Sequence, residues 1–104
     1  MFKLGVYVPQ SHLEQVKTAL FAAGAGRIGN YDSCCWQVLG QGQFRPLAGS
    51  NPHLGEQGQV ETVAEWRVEL VCQEHLIMEV IAALRQSHPY EEPAFDIVQL
   101  WTTE

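Results

Sequence analysis

His88, Tyr90, Glu91, Glu92 and Asp96 crowd into the stretch HPYEEPAFD, residues 88–96, with prolines at 89 and 93. Imidazole is a common zinc or nickel ligand and carboxylates are hard oxygen ligands, so His88 and Glu91 are candidate metal ligands. Side chains adjacent in sequence rarely converge on one ion, so His53 or His75 would have to complete the set. A divalent metal is the cofactor such a set would take. A structural role fits the same residues. His88 can cap the last carbonyls of a helix, where its cation also suits the dipole. Tyr90 then packs, the two X-Pro bonds stiffen a turn, and Glu91 and Glu92 are solvated or paired.

Other candidates are spread along the chain. Glu61, Glu65 and Glu69 recur at four-residue steps, which places them on one face of a strand. They read either as a solvated edge paired with Arg67 or as carboxylates lining a cleft, where burial would raise a pKa. GAGRIG, residues 24–29, resembles a dinucleotide fingerprint only in its glycines: it follows a helix pattern and precedes a strand, the reverse of what phosphate binding needs. It reads as a turn requiring positive φ, or as an anion site of loop amides near Arg27. Cys34, Cys35 and Cys72 lack the spacing of a structural zinc site and are expected as small buried thiols in strands. No Ser-His-Asp, Cys-His or phosphate-loop arrangement is readable, so catalysis is not supported.

The elements that must position these groups follow from periodicity. Phe2, Leu4, Val6 and Val8 alternate with Lys3, Gly5 and Tyr7, a half-buried strand ended by Pro9. Ser11 with Glu14 predicts a capping box opening a helix whose stripe is Leu13, Val16, Ala19, Leu20 and Ala23, stopped at Gly24. Residues 31–39 read as a second strand and 60–72 as a long third, with Trp66, Val68, Leu70 and Cys72 facing one way and Glu65, Arg67 and Glu69 the other. Between them, residues 40–59 form a glycine-rich loop; loops longer than about 12–15 residues are usually functional or disordered. Leu76, Ile77, Val80, Ile81 and Leu84 predict a helix over 74–87 that Pro89 cannot continue, and 95–101 supply a last strand. The order β-α-β-β-α-β is that of a ferredoxin-like α+β sandwich, a four-stranded antiparallel sheet with two helices on one face. Tyr7, Cys35, Leu39, Val71 and Trp101 are expected on the other face beside Glu65, Arg67 and Glu69, a mixture that suits either water or an oligomer contact; the length of the third strand points to an association of sheets.

Composition narrows the function classes. A chain of 104 residues carrying a net charge of −6 is one domain, 1–104, and its six basic residues form no patch, which argues against nucleic acid. No apolar run is long enough to span a membrane, and MFKLGVYVP lacks the apolar core of a signal peptide, so a cytoplasmic setting is expected.

GAGRIGNYDSC (24–34), GQGQFRPLAGSNPHLGEQGQVE (40–61) and HPYEEPAFDI (88–97), in this order, resemble the domain inserted in many bacterial Nif-three-like dimetal proteins and its short YqfO-type relatives. The likeness covers essentially the whole chain. It implies a PII/CutA-like fold and a homotrimer with clefts between subunits. The flanking domains that carry the dimetal site have no counterpart in these motifs, so neither that site nor a hydrolase activity is implied.

These readings combine into a non-enzymatic, cytoplasmic binding or regulatory module with a small-ligand or metal site at an inter-subunit cleft. The 40–59 loop, the 24–31 turn and the 88–96 segment would wall it. His88, Tyr90, Glu91, Glu92, Asn30, Tyr31, Arg45, Glu61 and Glu65 are the expected ligand-binding residues, and His88, Glu91 and His53 the expected metal set. Asn30 and Tyr31 would supply neutral hydrogen bonds and Arg45 an anion contact. A metal-dependent hydrolase and a purely structural interaction domain are the alternatives.

Overall fold

The computed structural model describes residues 1–101. Along the chain run β1 (Phe2–Pro9), a 3-10 turn (Gln10–His12), α1 (Leu13–Ala22), β2 (Trp36–Phe44), β3 (Glu61–Cys72), a second 3-10 turn (Glu74–Leu76), α2 (Ile77–Ser87) and β4 (Phe95–Gln99). The four strands form one antiparallel sheet in the order β2-β3-β1-β4. This is the expected ferredoxin-like sandwich.

Period-two alternation in β1 and β3 is what builds the core. The register sets Leu4 opposite Leu70 and Val6 opposite Val68, so both strands turn their apolar residues to the same side. Val16 and Leu20 of α1 and Val80 and Leu84 of α2 close over them, all fully buried. Burying each such side chain contributes roughly 1.5–3 kcal/mol. The end of α1 is closed by a paired bond motif: Gly24 N–H donates to Phe21 O at 3.0 Å and Ala25 N–H to Leu20 O at 3.1 Å. Gly24 takes the φ of +106° that this stop requires.

Three expectations about the elements are corrected. Ser11 does not cap α1: residues 10–12 wind into a 3-10 turn, His12 becomes the residue before the helix, and the Ser11 hydroxyl bonds His12 Nδ1 at 2.8 Å. The second strand begins at Trp36 rather than residue 31 and runs through the glycines to Phe44. The reason lies in residues 24–34, whose backbone is already committed. Gly26 N–H donates to Val71 O at 2.8 Å, Cys34 N–H to Gly26 O at 2.9 Å, and Ile28 and Tyr31 bond each other. The last strand ends at Gln99, leaving Trp101 beyond it and exposed.

The phase of β2 is also not the expected one. Trp36 and Val38 pair across from Glu69 and Arg67 and so lie on the helix-free face, whereas Leu39 pairs with Trp66 and sits on the helix side. Tyr7 and Val71 take the helix-free face as expected. Of the thiols only Cys72 is buried; Cys34 is half-buried and Cys35 exposed, because both precede the strand. β3 outruns its neighbour: β1 ends opposite Glu65, so residues 61–64 pair only with 41–44 of β2 as a projecting arm. The arm accounts for the elongated outline, 48 × 24 × 23 Å. No helix among the described residues is long and apolar enough to cross a membrane.

Candidate functional site

The arm carries residues 45–60, which fold into a loop that bonds to itself. Gly58 N–H donates to Pro46 O at 2.7 Å and closes its ends. Inside, the Ser50 hydroxyl donates to Leu47 O at 2.7 Å and the Gln57 amide to Ser50 O at 2.9 Å. This is a compact Ω-shaped loop, its ends close together and its interior held by its own bonds. It folds back onto the 88–94 segment. Asn51 N–H donates to Glu91 Oε1 at 3.2 Å, the His53 and Phe44 rings lie 6.2 and 6.1 Å from Tyr90, and a cleft of about 420 Å³ remains between. Arg45, Leu47, His53, Glu65, Tyr90, Glu91 and Glu92 line it.

His88 is buried and holds this segment to the sheet. Its Nδ1 receives the Tyr90 N–H at 3.1 Å, which fixes the proton on Nε2, and Nε2–H donates to Tyr7 O of β1 at 2.7 Å. The ring therefore does not cap the carbonyls of α2; it ties the end of that helix to β1. Burial pushes its pKa below the ordinary histidine value against the opposing pull of the Tyr7 carbonyl, and His12 and His53 add to the lowering. With both ring nitrogens engaged, His88 has no lone pair for a metal. The expected set of His88, Glu91 and His53 is not gathered at one point: among the described residues no group of three or more His, Cys, Asp or Glu side chains is placed to hold an ion.

Tyr90 points its hydroxyl into the wall of the cleft. The oxygen is buried and closes no hydrogen bond of ordinary length. Burial, then the charge of the neighbouring Glu65 and a long, weak hydrogen bond toward its carboxylate, push the phenol above its ordinary pKa. Glu65 is half-buried, and its carboxylate lies where a side chain on Gly42 would be. It faces the cleft on one side and, on the other, a hollow of about 500 Å³ on the helix-free face of the sheet.

That hollow is floored by Arg67, whose role was not legible beyond a pairing with the strand acids. Its guanidinium grips both Asp96 oxygens at 3.2 Å, donates to Glu69 at 3.1 Å and stacks 4.9 Å from the Tyr7 ring. Asp96 above all, with Glu69, raises its pKa against desolvation. The signal that could have found this arrangement is Gly5, which leaves the guanidinium room to lie flat across β1.

The remaining candidates divide. Arg45 lines the cleft, exposed, with no carboxylate partner among the described residues. Glu61 lies under the loop, its side chain against Gly55. Asn30 and Tyr31 are at the other end of the sheet, where the 24–34 turn bonds Val71. The length of β1, roughly 20 Å, separates them from Glu65. Within one chain, then, the 40–59 and 88–96 segments meet and the 24–31 turn does not join them.

Strand order, helix placement and the β2–β3 arm define a PII/CutA-like domain of ferredoxin type. CutA1 from Pyrococcus horikoshii superposes with a TM-score of 0.71 over 100% of this chain and 87% of its own, at 17% identity, a likeness of fold. Sequence narrows the class. A protein named GTP cyclohydrolase 1 type 2 homolog from Mycobacterium tuberculosis is 53% identical over 95 residues, 91% of this chain and 25% of its own length. The Bacillus subtilis protein of the same name is 50% identical over 91% of this chain. A Bacillus cereus protein related to NIF3 matches with a TM-score of 0.82 and 42% identity over 95% of this chain and 25% of that one. No family model matches. Nearly the whole chain is thus similar to one PII/CutA-like segment of these Nif3-related proteins, and it spans about a quarter of the length of the curated relatives it matches.

Proposed function

We propose that this domain is a non-enzymatic binding or regulatory module whose cleft under the 45–60 loop receives a small molecule. The observation that carries the reading is the Tyr90 hydroxyl, buried in the cleft wall beside the Glu65 carboxylate and closing no hydrogen bond of ordinary length. A buried polar group without a partner costs about 1–3 kcal/mol, and a ligand that supplies one recovers it. Glu65 and Glu91 accept donors such as an amine or hydroxyl, and Arg45 at the rim takes an anionic end. Glu92 lines the same wall. The reading includes self-association through the helix-free sheet face, where Tyr7, Trp36 and Val38 are exposed, and the resemblance to PII and CutA proteins implies a homotrimer. In that assembly Asn30 and Tyr31 enter a cleft from a neighbouring copy. A cytoplasmic setting goes with it, supported by three cysteines all present as free thiols.

The test is a thermal-shift screen of polar metabolites in metal-free buffer, followed by calorimetry of any hit. Tyr90→Phe is expected to weaken binding by roughly 10-fold, about the worth of one hydrogen bond, with the fold intact. A hit that binds Tyr90→Phe and Arg45→Ala as tightly as the parent would place the ligand elsewhere and overturn the reading.

A further inference from the structure

We propose that His12 and His53 form a clamp for one divalent transition-metal ion that fastens the 45–60 loop to the body of the domain. The two residues belong to separate segments: His12 to the 3-10 turn after β1, His53 to the loop. Their rings meet edge to face with centroids 5.6 Å apart. Two imidazoles sharing one tetrahedral ion at about 2.0–2.1 Å per nitrogen place their ring centres roughly 5–6 Å apart. Plain aromatic packing spans a similar range, so distance alone does not choose.

The choice rests on the ring nitrogens. His12 Nδ1 is 2.8 Å from the Ser11 hydroxyl. The serine hydroxyl can accept from Nδ1–H, and in that tautomer, the one in which a histidine ligand gives its other nitrogen to an orienting partner, His12 Nε2 carries the lone pair. His53 makes no side-chain hydrogen bond among the described residues. His88, by contrast, is closed off by its bonds to Tyr7 and Tyr90. The pair is thus open to a ligand where His88 is not.

Two imidazoles without a carboxylate cage select copper, nickel or zinc over magnesium or calcium. Water completes the coordination. Because His53 also lines the cleft, an ion here would hold the loop shut over it. The clamp needs no occupant in the cleft, so its failure and that of the binding reading are separable.

The experiment uses nickel alone, in a Cys34→Ser/Cys35→Ser background that removes one half-buried and one exposed thiol as competing ligands. Calorimetry is expected to show one ion per chain, with His12→Ala and His53→Ala each weakening it at least 10-fold and His75→Ala leaving it unchanged. Cleavage by a glutamate-specific protease at the exposed Glu56 of the loop is expected to slow several-fold with nickel in the parent, and not in His53→Ala. Nickel affinity that survives both substitutions, or its absence from the parent, would overturn the clamp and leave the contact as ring packing.

Discussion

His88 carries a consequence for pH because it is buried as the neutral ring. Its folded pKa lies below the unfolded value of 6.5, so below that pH the unfolded chain binds more protons than the folded one. Stability is therefore full above about pH 6.5 and falls as pH drops from there toward the lowered folded pKa. Urea midpoints taken between about pH 7.5 and pH 5 should fall with acid, with a smaller drop in His88→Gln. His88→Ala, which strands the Tyr7 carbonyl and opens a hole, should cost about 2–4 kcal/mol in the same assay. Tyr90→Phe separates stability from binding at the residue scale. Since its hydroxyl closes no hydrogen bond of ordinary length, removing it should leave stability unchanged or raise it by up to about 1 kcal/mol, measured by urea denaturation. The importance of residues 88–92 was legible from their density of charge, rings and prolines. The role of His88 was not, because its acceptor is a backbone carbonyl of β1, 81 positions away.

At the scale of elements, local pattern succeeded where burial is one-sided. β1, β3 and both helices have one face in the core and one in water, so periodicity reports them directly. β2 escaped it: Trp36 and Val38 face away from the helices, and glycine at 40 and 42 erases the alternation. At Gly42 the missing side chain has a reason, because the Glu65 side chain of β3 occupies the space above it. The 24–34 turn depends on tertiary contact in the same way. Gly26 holds φ +79°, and a Cβ there would sit 2.8 Å from the Cys34 carbonyl, a backbone atom that cannot swing aside. Gly26→Ala should therefore cost roughly 2–3 kcal/mol by thermal or urea denaturation, whereas Gly29→Ala, where nothing lies within 4 Å, should cost only the price of its positive φ, about 1 kcal/mol.

At the scale of the whole molecule, one sheet face is covered by two helices and the other is bare. Trp36, Val38 and Tyr7 are exposed on it around the Lys3–Glu69–Arg67–Asp96 ion network. If that face joins copies of the chain, light scattering after size exclusion should give an oligomer for the parent, and Val38→Glu should shift it to the monomer with the fold retained in circular dichroism. A monomeric parent at micromolar concentration would remove self-association from the reading.

Period-two and helical spacing, one glycine stop and a few prolines determined that this chain folds as a ferredoxin-like sandwich, because each records which side of an element is dry. They also marked the loop and the 88–96 segment as unusual. Only the tertiary structure decided which of those segments meet. It brought the loop to Tyr90, left Asn30 and Tyr31 at the far end of the sheet, and set His53 against His12 rather than beside His88. Such meetings depend on strand register and on where a long loop folds back, and neither is written in the spacing of neighbouring residues.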